Sequence, residues 1–328
     1  MALGYEFLTG AIAPMFTPFN EDDTIDLTGI SEMIRWLGRK GHVRTVFIRS
    51  GIGRMHTFLA SEVKLFAEVA LKTARSETKM GVIVGCSGEF DWDPRHRPEP
   101  SRYISQGIEI MEYVKGLGAD GAVLIVPKAL VPEPGESHED MIVRYYERMA
   151  KAVQIPIILY QPHGVEEEYR ITPQVLSRLM EIENIVGFKL STSSRDIFAP
   201  IAEVASRRPD FSLIAGDERF YLEALKLGAK GVIGEGCNIY PHLLELIRKS
   251  FLNGDMERAA KLQEAVHSIL SVGEGMDRTV LWKQYLARKG VRIKPYNRSG
   301  TRPYPPEVVE EFERKVDEIL LLSSESAS

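Results

Sequence analysis

The chain has 328 residues, 44% of them hydrophobic and 27% charged, and 41 Lys and Arg against 46 Asp and Glu give a formal net charge of -5. These values describe an ordinary globular chain with ample core material, and they exclude the basic excess that nucleic acid or an acidic membrane surface selects. Two cysteines far apart in sequence, Cys86 and Cys237, are too few for a disulfide framework and fit a reducing cytoplasm; no signal-peptide pattern or bilayer-length apolar run is present.

In chain order, short β-branched and apolar runs fall at "AIAPMFT" (11–17), "VRTVFI" (43–48), "MGVIVG" (80–85), "GAVLIV" (121–126), "IPIILY" (155–160), "IVGFKL" (185–190), "FSLIAG" (211–216) and "GVIG" (231–234). Between them lie segments with helical periodicity, including 61–74, 101–118 and 138–153. Strand then helix, repeated about eight times, predicts a parallel sheet closed into a (β/α)8 TIM barrel of class α/β. An open doubly wound sheet also alternates, but no Gly-x-Gly-x-x-Gly follows the first strand. The stretches "LGADG" (117–121) and "LGAKG" (227–231) each predict a glycine that caps a helix before the next strand.

After residue 252 strand signals stop. Residues 255–272, 276–290 and 305–322 read as three helices, and "SSESAS" (323–328) as a disordered tail. The expected organisation is a catalytic barrel over 1–252 and a helical region over 253–328 appended behind it.

In such barrels the carboxyl ends of the strands carry the chemistry. Lys189 falls at the carboxyl end of strand six and Tyr160 at that of strand five, next door. An apolar barrel mouth lowers a lysine pKa toward ~7–8, leaving free amine for attack on a ketone. Tyr160 would then move the protons that carbinolamine formation and dehydration require. The alternative is a lysine whose stem packs in the rim while its head reaches solvent or a carboxylate such as Asp217. Periodicity alone leaves both readings open.

The motifs "GAIAPMFTPF", "TFLASE" (57–62), "GADGAVLIVP" (118–127), "PIILYQ", "GFKLSTSS", "AGDERF" (215–220) and "GVIGEGCNIYP" (231–241) run in one order over nearly the whole chain. In them the sequence resembles the dihydrodipicolinate synthase and N-acetylneuraminate lyase family of pyruvate-type class I aldolases. The resemblance implies that Lys189 is the Schiff-base lysine and Tyr160 the catalytic tyrosine. It further implies a 2-oxo acid substrate, no cofactor beyond the lysine imine, and a homotetramer. Gly234, inside the last motif, joins the expected substrate-binding set.

Departures from the family pattern are concentrated in loops. Where the family carries Gly-Thr-Thr-Gly-Glu after strand two, this chain reads Ser50-Gly51-Ile52-Gly53-Arg54. The backbone N–H groups of Gly51 and Ile52 suit a substrate carboxylate, Ser50 supplies the nearest hydroxyl, and Arg54 either pairs with a structural carboxylate or holds an acidic substrate. Lys128-Ala129 stands where the synthases have a Tyr-Tyr pair, and His163, Gly164 and Val165 stand near the position of their substrate-binding arginine, which argues against dihydrodipicolinate synthesis. The loop "SGEFDWDPRHRPEP" (87–100), with Phe90, Trp92 and the cluster Arg95, His96, Arg97, reads as a surface or subunit-contact excursion or as a lid for an anionic substrate. Cys86 and Cys237 read as small buried residues, and no histidine has metal-site spacing.

The resulting expectation is a cytoplasmic Schiff-base lyase acting on pyruvate or another 2-oxo acid, by aldol cleavage or by dehydration of a 2-keto-3-deoxy sugar acid. Its partners are small molecules, without metal, nucleic acid or membrane. The alternatives are dihydrodipicolinate synthase proper, or a barrel that has lost catalysis and serves in ligand binding or assembly.

Overall fold

The structure is a computed structural model that describes residues 5–91, 93 and 95–325. The eight apolar runs form β1 (Gly10–Pro14), β2 (Val43–Ile48), β3 (Gly81–Gly85), β4 (Gly121–Ile125), β5 (Ile157–Gln161), β6 (Ile185–Leu190), β7 (Ser212–Ala215) and β8 (Gly231–Val232). Each pairs in parallel with the next and β8 returns to β1, closing the barrel. Strands β4, β5, β6 and β7 are buried at every position, because helices cover one face and the barrel interior the other. Strand β8 stops two residues short of the expected run: Ile233 donates to Ala215 O, and the chain then turns over Glu218.

The covering helices are α1 (Leu27–Lys40), α2 (Ala60–Glu77), α3 (Pro100–Gly116), α4 (His138–Ala152), α5 (Pro173–Leu179), α6 (Arg195–Ala205), α7 (Tyr221–Lys226) and α8 (Pro241–Leu252). Side-chain caps fix several starts: Asp26 accepts from Gly29 N–H, Ser137 from Asp140 N–H and Thr172 from Val175 N–H. The paired "LGAxG" stretches end α3 and α7 through Gly118 (φ 83°) and Gly228 (φ 98°), left-handed positions where a side chain would be strained.

Beyond the barrel come α9 (Met256–Ser271), α10 (Arg278–Arg288) and α11 (Pro306–Glu325). Their shared core centres on Trp282, whose ring meets Phe312 at 4.7 Å and Tyr285 at 5.6 Å. The fully buried Lys283 donates to Thr17 O at 2.5 Å, Asn297 Oδ1 at 2.6 Å and Tyr296 O at 2.7 Å, locking α10 onto the loop after β1. Two expectations change here. Helix α11 runs through Ser323, Ser324 and Glu325, with Ser323 Oγ donating to Leu320 O, so the first half of the expected disordered tail is helical; residues 326–328, like Trp92, lie outside the described residues. The helical region also does not sit wholly behind the barrel, because Leu270 and Arg278 reach its carboxyl-end mouth. A domain boundary at residue 252 remains a proposal.

Candidate active site

The β5–β6 register sets Tyr160 directly beside Lys189. Both side chains are buried, at 6% and 4% exposure. Lys189 Nζ lies 3.9 Å from the centre of the Tyr160 ring and 5.9 Å from that of Phe47. Among the described residues it has no carboxylate partner. Burial therefore governs its charge and lowers its pKa to about 7. Burial also raises the Tyr160 phenol to about 12, against a hydrogen bond from Ser191, so this hydroxyl keeps its proton at neutral pH. Asp217, the alternative partner for Lys189, is engaged elsewhere: it accepts from Arg219 N–H at 2.9 Å and lies 3.6 Å from His163 Nε2.

Lys189, Tyr160 and Ser191 open into a cavity of ≈ 250 Å³ that Ile52, His163 and Gly234 also line. A larger groove of ≈ 920 Å³ lies at the amino end of the barrel, where Arg75 is ion-paired with Asp120 and where barrels keep stability rather than chemistry.

The strand-two loop divides its tasks. Ser50 is fully buried, and its Oγ accepts from Gly53 N–H at 3.1 Å, which makes it a turn cap outside the cavity lining. Gly51 passes so close to the Tyr160 phenol that a Cβ there would stand 2.7 Å from Tyr160 Oη. Among the described residues the N–H groups of Gly51 and Ile52 have no acceptor. Arg54, at φ 65°, turns away to an ion pair with Asp277 at 2.7 Å, the structural pairing of its two expected readings.

On the opposite wall, Gly234 gives way to Glu218: a Cβ at 234 would lie 2.9 Å from the carboxyl carbon. Glu218 accepts from Gly236 N–H at 3.0 Å, and burial, with the charge of Glu235 adding, holds it well above the usual carboxylate range. Glu235 is ion-paired with Arg278 at 2.8 Å.

The loop cations stand apart from this cavity. Arg95 is paired with Asp93, His96 contacts Asp91 at 3.1 Å, and Arg97 donates to Tyr169 Oη at 3.4 Å. None of the three lines the Lys189 cavity. Lys128 is paired with Glu166 at 2.8 Å. Cys86 and Cys237 are buried thiols whose pKa values burial raises, to about 12 for Cys86. Among the described residues no group of three His, Cys, Asp or Glu side chains could hold a metal ion, and no helix is long and apolar enough to cross a membrane.

Sequence reasoning missed several residues that shape the site. Arg49 is fully buried and, among the described residues, has no carboxylate in ion-pair distance; it donates to Ser87 O at 2.5 Å, Gly85 O at 3.1 Å, Met55 O at 3.2 Å and Gly88 O at 3.3 Å, clamping the loops after β2 and β3. Its signal was a cation ending an apolar strand, the same signal that marked Lys189. Ser191, two residues after the lysine, and Glu218 were in quoted motifs, but their orientation depends on contacts across strands. Arg278 comes from α10, and no local pattern ties it to the barrel mouth.

Comparison with known proteins places this geometry in context. The family model described as the dihydrodipicolinate synthetase family matches residues 7–319. An uncharacterized DapA-like lyase of Pyrococcus horikoshii is 28% identical, over 95% of this chain and 100% of its own length. The 4-hydroxy-tetrahydrodipicolinate synthase of Archaeoglobus fulgidus is 28% identical over 80% of this chain and 82% of its own. Among solved structures, a prophage protein of the dihydrodipicolinic acid synthase family from E. coli K12, in complex with pyruvate, superposes with a TM-score of 0.78 at 22% identity, covering 95% of this chain and 99% of that one. That likeness concerns the fold.

Proposed function

The chain belongs to the dihydrodipicolinate synthetase family and is a lyase of that family, and from this premise we propose that it acts on a 2-oxo acid through an imine on Lys189. The observation that carries the proposal is the lysine itself: a buried amine with a pKa of about 7, no anionic partner among the described residues, and a phenol in register beside it. About half of such an amine is unprotonated at neutral pH.

The sequence of steps follows from that arrangement. The Lys189 lone pair attacks C2 of the substrate, and Tyr160, hydrogen-bonded to Ser191, gives its proton to the former ketone oxygen. Loss of water from the carbinolamine leaves a protonated imine, and the Gly51 and Ile52 N–H groups hold the C1 carboxylate. Aldol cleavage removes the C4 hydroxyl proton and breaks C3–C4, giving an aldehyde and an enamine that is protonated at C3. Dehydration instead takes a C3 proton and expels the C4 oxygen as water. In both, the imine accepts the electron pair, so the reaction needs no cofactor, and hydrolysis returns free Lys189.

Dihydrodipicolinate synthesis itself is disfavoured, since the segment after β5 offers His163 facing Asp217 rather than an arginine. Homotetramer formation and a cytoplasmic location complete the proposal, on the strength of the family resemblance. Trapping with borohydride and intact-mass analysis across a panel of 2-oxo acids tests it: one reduced adduct, lost in Lys189→Ala, is expected. No adduct from any acid on folded protein favours a barrel that only binds ligands.

A further inference from the structure

Two guanidinium groups meet at the rim of the Lys189 cavity. Arg219, just after β7, donates to Leu270 O at 3.4 Å, and Arg278, at the start of α10, donates to the same oxygen at 2.5 Å. Because both nitrogens rest on one acceptor, they can be no further apart than the sum of those two distances. Both arginines and Leu270 line the cavity that holds Lys189 and Tyr160.

Two cations this close repel unless an anion faces both. The nearby carboxylates are already occupied. Asp217 is turned to the Arg219 backbone N–H and His163, Glu218 to the Gly236 N–H, and Glu235 is ion-paired with Arg278 while its charge also reaches Arg219, one carboxylate against two guanidinium groups. Among the described residues Arg219 has no carboxylate within ion-pair distance. An arginine carries five N–H donors, and here most of them are unused. The carbonyls ending α9 would attract cations in any case, which accounts for a cation at Leu270. It does not account for two that converge on the substrate cavity.

We infer that Arg219 and Arg278 form a carboxylate-binding pair, so that the substrate is a 2-oxo acid bearing a second carboxylate at its far end. This rests on the imine reading, with C1 held at the Gly51 and Ile52 side and the far end reaching the β7–α10 side. A planar guanidinium fork matches a carboxylate in two parallel hydrogen bonds, so the pair selects for an anionic terminus over an apolar one of equal length.

The test compares 2-oxoglutarate with 2-oxopentanoate, which has the same chain length and one carboxylate, with pyruvate as control. In the wild type, borohydride trapping should half-saturate at about tenfold lower 2-oxoglutarate than 2-oxopentanoate. Arg219→Gln should erase that preference and leave pyruvate trapping unchanged. Arg219 is exposed, so this variant is expected to fold, whereas Arg278→Gln also strips Glu235 of its partner. Equal half-saturation in the wild type, or a preference that survives Arg219→Gln, overturns the inference while leaving the imine intact. If no acid is trapped, the imine reading fails on its own. The pair is then judged by thermal shift: a larger Tm rise with 2-oxoglutarate than with 2-oxopentanoate, lost in Arg219→Gln, supports it, and equal shifts overturn it.

Discussion

Lys189 and Lys283 are both buried lysines whose pKa burial lowers to about 7, yet they are in opposite states of hydrogen bonding. Lys283 has an acceptor for each of its three N–H groups, whereas Lys189 faces an aromatic ring and an open cavity. A lone pair is useful only where the amine is not committed to acceptors, so of this pair Lys189 is the one that fits the proposed nucleophile, and Lys283 is a clamp.

Imine formation should follow Lys189 titration. The unprotonated fraction rises with pH through about 7, so initial trapping rates should climb between pH 6 and 8 and level off above. A rate flat across that range would mean that the attacking amine is not this one.

The same group should limit stability in acid. Its folded pKa lies below the usual lysine value of 10.5, so the folded state binds fewer protons than the unfolded chain and stability falls as pH drops from 10.5 to about 7. Lys189→Met should raise Tm, and by more at pH 6 than at pH 9. A variant less stable than wild type at pH 6 would contradict the burial argument.

Tyr160→Phe should lose ~10²–10⁴-fold in turnover while keeping the fold, since a positioned acid–base group contributes that much and only one hydroxyl is removed. Ser50→Ala should cost ~0.5–2 kcal/mol of stability, as loss of a backbone-capping hydroxyl does, with little change in kcat. Near-normal turnover in Tyr160→Phe together with a dead Ser50→Ala would transfer the proton role to the strand-two loop.

Threonines at positions 51 and 52 should not bring dihydrodipicolinate synthesis. The Cβ of residue 51 would press on Tyr160 Oη at 2.7 Å, and the first arginine after β5 is Arg170, beyond the His163-Gly164-Val165 stretch where the synthases place theirs. Gly51→Thr should lower kcat by displacing the phenol; unchanged kcat would show that the phenol has room to move.

A lid built from Arg95, His96 and Arg97 also remains a proposal. Replacing all three by alanine should raise KM more than it lowers kcat if they hold substrate. With Arg95 and His96 already facing Asp93 and Asp91, unchanged kinetics would assign the loop to the surface.

The order of strands and helices was legible in the sequence because each barrel element is local: an apolar strand of about five residues, an amphipathic helix, a glycine cap. Lys189 and Tyr160 were legible for the same reason, as polar residues ending apolar strands. That rule could not separate Lys189 from Arg49, since "VFIRSG" and "VGFKLS" carry the same local pattern. Barrel closure distinguishes them, by giving Arg49 four backbone carbonyls and leaving Lys189 with none among the described residues. The expected tail fell short because serines that read as disordered still extend an amphipathic helix once its apolar face has a surface to pack on. Arg278 shows the limit most plainly: it lies 89 positions beyond Lys189 in sequence, and only the packing of α10 against the barrel mouth brings its charge into the same cavity.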